Sequence, residues 1–223
     1  MGHKNIVKYL VEHGADVNAA IDKFGQKQLF YAVKERNESM VNLLINCGAN
    51  VNAVNKSGWT PLFYAKDVQT AQLLISHGAD VNWKSENDGH TWLTHTMVYE
   101  GLPTEENKLP MIEFILKQLS KEKINESTNI GNTASHMASR WNYAEITKML
   151  VNHGADIHLR NGKGETPLMR TAQFDSAKVA RVLLDTNEIS SDEINKALEY
   201  AKKFCSTESV ELLSNAVKKM KQQ

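Results

Sequence analysis

The amino-acid sequence predicts an all-α solenoid of about six to seven units, each a helix pair followed by a β-hairpin-like finger. Two observations predict it. A turn glycine opens several units, and the step from Gly25 to Gly58 equals the step from Gly131 to Gly164. An eight-residue motif with Gly-Ala-Asp or Gly-Ala-Asn at its centre occurs at 11–18, 45–52, 75–82 and 151–158. Such self-similarity is typical of solenoids, in which each unit buries its apolar face only against its neighbours.

The second signature is a tetrad that follows the turn glycine, clearest at Thr60-Pro61-Leu62-Phe63 and at Thr166-Pro167-Leu168-Met169. Together with the repeat period and the Gly-Ala-Asp motif, these tetrads resemble the ankyrin repeat. The resemblance covers nearly the whole chain. It implies two helices and a finger per unit, a concave groove, and a function in binding other proteins.

The elements of one unit follow from its apolar spacing. Gly25 opens a turn into a first short helix, and a second helix carries apolar residues at helical spacing from Met40 to Leu44. Gly48 ends this helix, because glycine readily takes the left-handed conformation of a helix C-cap. The polar stretch after it predicts a solvated finger that leads to the next turn glycine.

We interpret the chain as one ankyrin-type domain, residues 1–223. Its first unit lacks a first helix, so we expect Ile6, Val7, Leu10 and Val11 to lack a cover, as in a fragment of a longer repeat protein. The units are 3–21 (partial), 22–54, 55–85 (shortened), 86–127 (with an insertion at 100–110), 128–160, 161–188 and 189–223 (a C-terminal cap).

Two units depart from the standard length. The third unit is short, and we expect the loss near Lys66 and Asp67, between its two helices. The fourth unit is long, and its excess runs from Glu100 to Pro110. We expect this insertion to be a mobile surface loop, since insertions map to loops, with a partner-specific finger as the alternative.

Composition limits the class of partner and the compartment. The formal net charge is +0 at pH 7, so the positive excess of a nucleic-acid binder is missing. Cys47 and Cys205 lie in distant units, which favours a reducing, cytoplasmic compartment. Lysine far outnumbers arginine, which suits an AT-rich genome, so the host cytosol after bacterial or viral delivery is an open alternative.

The sequence predicts no enzyme, no cofactor and no metal site. The common hydrolase, metalloprotease and phosphate-loop motifs are absent. His13, His77 and His153 recur at equivalent places, but stacked helices lie ~8–10 Å apart. That spacing is too wide for zinc ligands, whose bonds measure ~2.0–2.3 Å. For His136, in the fourth place of its tetrad, the resemblance implies a structural tie to the next repeat.

Aromatic residues form the candidate partner-binding site. Ten residues after the turn glycine, three successive units carry a ring, and an arginine stands beside one of them. The resemblance places these residues on the groove and three further residues on the fingers. Tyrosine, tryptophan and arginine are enriched at binding hot spots, but rings at helix ends also pack on adjacent repeats. The groove candidates are Tyr99, Arg140, Trp141 and Phe174, and the finger candidates are Phe24, Trp59 and His90.

We therefore expect a non-catalytic module that binds a partner protein, with no nucleic acid and no membrane span. We expect a monomer, with an end-to-end contact at the first unit as the alternative. Two other functions stay open: the targeting region of a larger enzyme or secreted effector, and a purely structural spacer. Asn18, Asn52 and Asn82 resemble the finger asparagines that ankyrin-directed hydroxylases modify.

Overall fold

The computed structural model describes residues 2–99 and 101–220 and divides the chain into two compact units, 1–103 and 104–223. We call them unit 1 and unit 2 and describe each by itself. Across the described residues the secondary structure is helical, with thirteen α-helices, one 3-10 helix and no strand. The fingers are turns, with a single antiparallel bridge between Lys84 and Thr91. The predicted all-α repeat fold is confirmed.

Unit 1 contains five α-helices and the 3-10 helix. Its core consists of large apolar residues from the first and second helix of each repeat, such as Phe30, Val41 and Leu74. Of the four residues predicted to lack a cover, Ile6 and Leu10 are exposed, whereas Val7 and Val11 are half-buried. The elements are α1 (Gly2–Glu12), α2 (Gln28–Lys34), α3 (Glu38–Asn46), the 3-10 helix (Pro61–Tyr64), α4 (Val68–Ser76) and α5 (Trp92–Val98).

The shortened repeat of unit 1 replaces its first α-helix by the 3-10 helix Pro61–Tyr64. A 3-10 helix rises about 2.0 Å per residue against about 1.5 Å in an α-helix, so fewer residues cover more length. Ala65 is extended, and Asp67 then caps α4 by accepting from the Thr70 N–H at 2.7 Å. The connection to the second helix, residues 65–67, is as long as the connection 35–37 of the preceding repeat. The shortening therefore falls in the first helix, and the prediction that it lies near Lys66 and Asp67, between the two helices, is wrong.

Unit 2 contains eight α-helices. In unit 2 the first helices of successive repeats pack side by side, α8 against α10 and α10 against α12. Its core includes Leu168, Ala172, Val179 and Leu183. The helices are α6 (Glu105–Gln118), α7 (Lys121–Ile124), α8 (Ala134–Trp141), α9 (Ala144–Asn152), α10 (Pro167–Phe174), α11 (Ala177–Asp185), α12 (Ser191–Lys203) and α13 (Thr207–Met220).

The prediction that the insertion is a loop is wrong for its second half. Glu100 lies outside the described residues, but Glu105 to Pro110 form the beginning of α6. Thr104 caps this helix by accepting from the Asn107 N–H at 3.2 Å. Pro110 costs one helical hydrogen bond. Burial of the apolar residues that follow it offsets that loss, namely Met111, Ile112, Ile115 and Leu116.

Three second helices of unit 2 take an N-terminal cap from the preceding repeat. The Glu105 carboxylate accepts from the Ile146 N–H of α9 at 2.9 Å, and the Asn142 side chain accepts from Val179 of α11 at 3.3 Å. Asp175 accepts from the Ser209 N–H of α13 at 2.9 Å. Such acceptors satisfy N–H groups that the first helical turn leaves without a partner.

His136 ties two repeats together, as the sequence predicts. Its Nε2 lies 2.9 Å from the Glu165 carbonyl oxygen in the next repeat, and its Nδ1 lies 2.9 Å from Thr133 Oγ1. The imidazole is fully buried. Gly131, which opens the same repeat, has a φ of +78°, and a Cβ there would lie 2.6 Å from the Gly162 backbone nitrogen. Glycine is therefore required for both conformation and space.

Candidate partner-binding surface

The structure divides the predicted partner-binding residues between the two units. Phe24, Trp59, His90 and Tyr99 belong to unit 1. Arg140, Trp141 and Phe174 belong to unit 2. Phe24 is exposed at its finger tip, with the Lys23 ammonium 5.1 Å from the ring centre.

The other three predicted residues of unit 1 join a packed aromatic cluster. Trp59 lies 4.4 Å from the His95 ring, centre to centre, and its Nε1 donates to Asp88 at 3.0 Å. Tyr99 lies 5.3 Å from His95 and 6.0 Å from Tyr64. The geometry therefore gives the Trp59 and Tyr99 rings a packing role, and their contact with a partner stays a prediction.

Burial also changes the acid-base behaviour of this cluster. Burial lowers the pKa of His90, although the Asp88 carboxylate opposes the shift. Burial raises the pKa of Tyr99. His90 Nδ1 lies 3.2 Å from Thr94 Oγ1, which holds the imidazole against its own helix. His90 is therefore half-buried and held by its own repeat.

Unit 2 presents a row of exposed rings. Trp141 and Phe174 are the last residues of α8 and α10, and 48% and 38% of their surface is exposed. Phe204 directly follows α12 and is 42% exposed. Because these three helices pack side by side, the rings lie at equivalent ends of neighbouring helices. We call Trp141, Phe174 and Phe204 the ring row.

Each ring has a cation beside it. The Arg140 guanidinium carbon lies 5.4 Å from the Trp141 ring centre and 5.2 Å from that of Phe174. The Lys203 ammonium lies 5.7 Å from the centre of Phe204. Cations within about 6 Å of a ring centre are attracted to its negative face. The ring row is thus an apolar surface with positive charge built into it.

A second arginine, buried within unit 2, contacts one ring of the row. Arg170 is buried, and its guanidinium carbon lies 4.7 Å from the Phe174 ring centre. Its Nη1 lies 3.3 Å from the Glu165 carboxylate, and both side chains are less than a tenth exposed. Nη1 also donates to the Gln173 side chain at 3.0 Å. Arg170 therefore fixes the position of Phe174 and is neutralised by its own carboxylate.

Backbone conformation places the rings. Each ring is followed by a residue in the left-handed region, Asn142, Asp175 or Cys205, which ends the helix and turns the chain. Asparagine and aspartate tolerate this conformation, so two of the turns are readable from the sequence. Sequence reasoning missed Phe204, because its repeat has no turn glycine from which to count and Cys205 gives no turn signal. It also missed Arg170 as the support of Phe174.

Two family models match the sequence. One, described as ankyrin repeats (3 copies), matches residues 1–55 and 29–118, and another, described as ankyrin repeats (many copies), matches 119–170. The chain belongs to the ankyrin repeat family. Ankyrin repeats are a protein–protein interaction fold, which agrees with an exposed row of rings.

Relatives of this ankyrin chain come from viruses and animals. A putative ankyrin repeat protein of fowlpox virus is 29% identical over 171 residues, covering 64% of this chain and 90% of the relative. The chain spans only 36% of the length of the mouse and human B-cell lymphoma 3 proteins.

Two solved structures resemble the ankyrin chain. The ankyrin repeat domain of Bcl-3 has a TM-score of 0.66 and 29% identity, covering 81% of this chain and 77% of that one. A chain from the complex of the Bdellovibrio bacteriovorus predatory endopeptidase Bd0816 with immunity protein Bd3460 has a TM-score of 0.64 and 27% identity. That match covers 80% of this chain and 90% of the other.

The finger asparagines of this ankyrin protein bridge neighbouring repeats. The Asn18 amide donates to the Gly48 carbonyl and accepts from the Asn50 N–H. Asn52 makes the same pair of bonds to Gly78 and Asp80, and Asn125 makes it to Gly154 and Asp156. No such bridge from Asn82 occurs among the described residues. Hydroxylation of Asn18, Asn52 or Asn82 stays a prediction.

The described residues contain neither a cluster of metal ligands nor a membrane-spanning helix. Among residues 2–99 and 101–220, no three histidine, cysteine, aspartate or glutamate side chains are grouped so that they could hold a metal ion. Within the same residues, the longest helices are too short and too polar to cross a membrane.

Proposed function

We propose that this ankyrin repeat chain is a non-catalytic recognition module that binds a partner protein through the ring row of unit 2. The observation that carries the proposal is the exposure of three large rings at equivalent helix ends, each with a cation in contact. Tryptophan and arginine are the residue types most enriched among binding hot spots.

The contrast with unit 1 supports the choice of surface. There, Trp59 and Tyr99 pack edge to face against their own aromatic neighbours, so part of each ring is already covered. Trp141 and Phe174 contact arginines and leave much of their area to solvent. Exposed rings of this kind lose little conformational entropy when a partner covers them, since an aromatic side chain has only two rotatable bonds.

The test compares captured proteins. We would immobilise the wild-type chain, the double variant Trp141→Ala/Phe174→Ala and the control Ile130→Ala, and quantify bound proteins from cell extract by mass spectrometry. Ile130 is a more exposed apolar residue of unit 2 that lies outside the ring row. We expect at least one protein that the wild type and the control retain and the double variant loses. Equal retention by all three would contradict the proposal.

A further inference from the structure

Arg140 is an exposed cation that none of the described residues neutralises. Within the part of the chain that the structure describes, no carboxylate lies within ion-pair distance of it, and its guanidinium contacts are the rings of Trp141 and Phe174. The helices α8 and α10, which carry the two rings, contain no acidic residue. The charge therefore faces solvent at the centre of an apolar surface.

We infer that the ring row recognises an extended, acidic segment of a partner protein, in which a carboxylate side chain lies beside an apolar one. This inference rests on the proposed function and adds the chemistry of the partner. The carboxylate pairs with Arg140, and the apolar side chains cover Trp141 and Phe174. Lys203, beside Phe204, supplies a second cation at the far end of the row.

Of the two arginines that contact the Phe174 ring, only Arg140 is available to bind a partner. Arg170 already pairs with Glu165 at 3.3 Å, and both are buried, so its charge is used inside unit 2. The Arg140 guanidinium has the same ring contact but stays exposed, and it makes no hydrogen bond to another described residue. A guanidinium offers five N–H donors in a planar fork that fits a carboxylate at two points. The N–H donors of the Arg140 guanidinium are therefore available to bind a carboxylate of a ligand.

The spacing of the row suits a peptide in extended conformation. Neighbouring helices pack ~8–10 Å apart, whereas an extended chain advances ~3.3 Å per residue and directs alternate side chains to one face. Successive rings therefore match residues about two to three positions apart. Because only alternate side chains face the row, the acidic residue that meets Arg140 stands two positions from an apolar residue that covers Trp141 or Phe174.

Single-stranded nucleic acid is the competing ligand, because bases also stack on rings and phosphates also pair with arginine. The charge of the chain favours the peptide. Its basic and acidic residues are equal in number, 26 of each, so the excess of positive charge that follows a phosphate backbone is missing. A peptide requires only one or two cations at defined places.

The experiment selects ligands without assuming a sequence. A random-peptide phage library is panned on the full chain, and clones that also bind the Trp141→Ala/Phe174→Ala variant are removed. Recovered peptides are synthesised with a fluorophore and titrated by polarisation against wild type, Arg140→Met and Arg181→Met. Methionine keeps the apolar stem and removes the charge, and Arg181 is an exposed arginine on α11 that serves as the control.

We expect the recovered peptides to carry aspartate or glutamate two positions from an apolar residue, so that both side chains lie on one face. We expect Arg140→Met to weaken them about tenfold or more, as for a hot-spot truncation, and Arg181→Met to leave them unchanged. Replacing the peptide carboxylate by its amide should cause the same loss with wild type and no further loss with Arg140→Met.

Three results would overturn the inference, and they differ in what else they overturn. Ring-dependent peptides without acidic residues, or peptides indifferent to Arg140→Met, would reject the acidic partner and leave the proposed function intact. Failure to recover any peptide that depends on Trp141 or Phe174 would count against both. An oligothymidylate that binds wild type, fails to bind the double variant and displaces the peptides would show that the row takes nucleic acid instead.

Discussion

The guanidinium carbon of Arg140 lies 5.2 Å from the centre of the Phe174 ring, although Phe174 belongs to the following repeat. This contact crosses the interface between α8 and α10 without entering the core. It holds a charge and a ring together at the surface, where neither is needed for burial. The stability of unit 2 and its capacity to bind can therefore be separated by mutation.

Truncation of Trp141 should mainly reduce partner affinity, whereas truncation of Trp59 should mainly reduce stability. Trp141→Ala removes a half-exposed ring, so we expect a loss of unfolding free energy below about 1 kcal/mol and at least a tenfold loss of partner affinity. Trp59→Ala removes a ring packed on His95 and a hydrogen bond to Asp88, and we expect a loss of about 3 kcal/mol. Urea unfolding of both variants, with titration of a captured partner, measures the two effects. A larger stability loss for Trp141→Ala would mean that its ring is structural.

Asparagines of one motif should differ in their contribution to stability. Asn52→Ala removes two hydrogen bonds to the next repeat, at 2.9 Å to Gly78 and 2.8 Å to Asp80. We expect a cost of about 1–2 kcal/mol, because each bond contributes about 1 kcal/mol. Asn82→Ala is the matched control and should change the unfolding free energy by less than about 0.5 kcal/mol. Equal losses in the two variants would show that the bridge contributes nothing.

Lys108 should make stability rise at alkaline pH. It is 2% exposed, and burial lowers the pKa of its ammonium to about 8. Between that value and the ordinary pKa of about 10.4, the unfolded chain binds more protons than the folded chain, so stability increases with pH. We expect an increase of roughly 2 kcal/mol from this group, measured by urea unfolding between pH 7 and pH 10.

The control for this prediction is Lys108→Met, which keeps the length of the side chain and cannot titrate. Its unfolding free energy should lack that increase and should exceed the wild-type value at pH 7. If the two proteins showed parallel pH profiles, Lys108 would have an ordinary pKa in the folded state.

His136 should make the fold sensitive to mild acid. Burial lowers the pKa of its imidazole, and the nearby Arg170 charge lowers it further against the opposing effect of Glu165. As the pH falls through about 6.5, the unfolded chain takes up a proton that the folded chain resists, so stability is lost. His136→Gln should be less stable at pH 7.5 but should lose less on acidification to pH 5.5. A steeper acid loss in the variant than in wild type would refute this assignment.

Much of the fold could be predicted from local signals. Gly25, Gly58, Gly131 and Gly164 each require a left-handed turn, and all four have φ between +72° and +81°. The first half of α6 could not be predicted in this way, because Pro110 is typical of a loop and the residues that bury α6 are distant in sequence. Packing of α6 against α9 buries the apolar residues of α6 and stabilises this segment as a helix.

The candidate site was predictable only in part. The rings of Trp141 and Phe174 follow from counting along the repeat, but the same count also selects Tyr99, which is packed against Tyr64. The exposed fraction of the side chain distinguishes Trp141 and Phe174 from Tyr99. That fraction depends on which residues the fold packs against each ring. The pairing of Arg170 with Glu165, which leaves Arg140 as the available cation, also depends on the folded geometry.

The caps that Glu105, Asn142 and Asp175 supply to α9, α11 and α13 bear on the order in which unit 2 folds. In each case the acceptor precedes the helix that it serves, so a growing chain emerging from the ribosome already contains the cap when that helix forms. A repeat excised from the middle of unit 2 would remove the acceptor for the helix that follows it. Assembly should therefore proceed most readily from α6 towards α13, and recombination that shuffles whole repeats should succeed only where the acceptor and its helix move together.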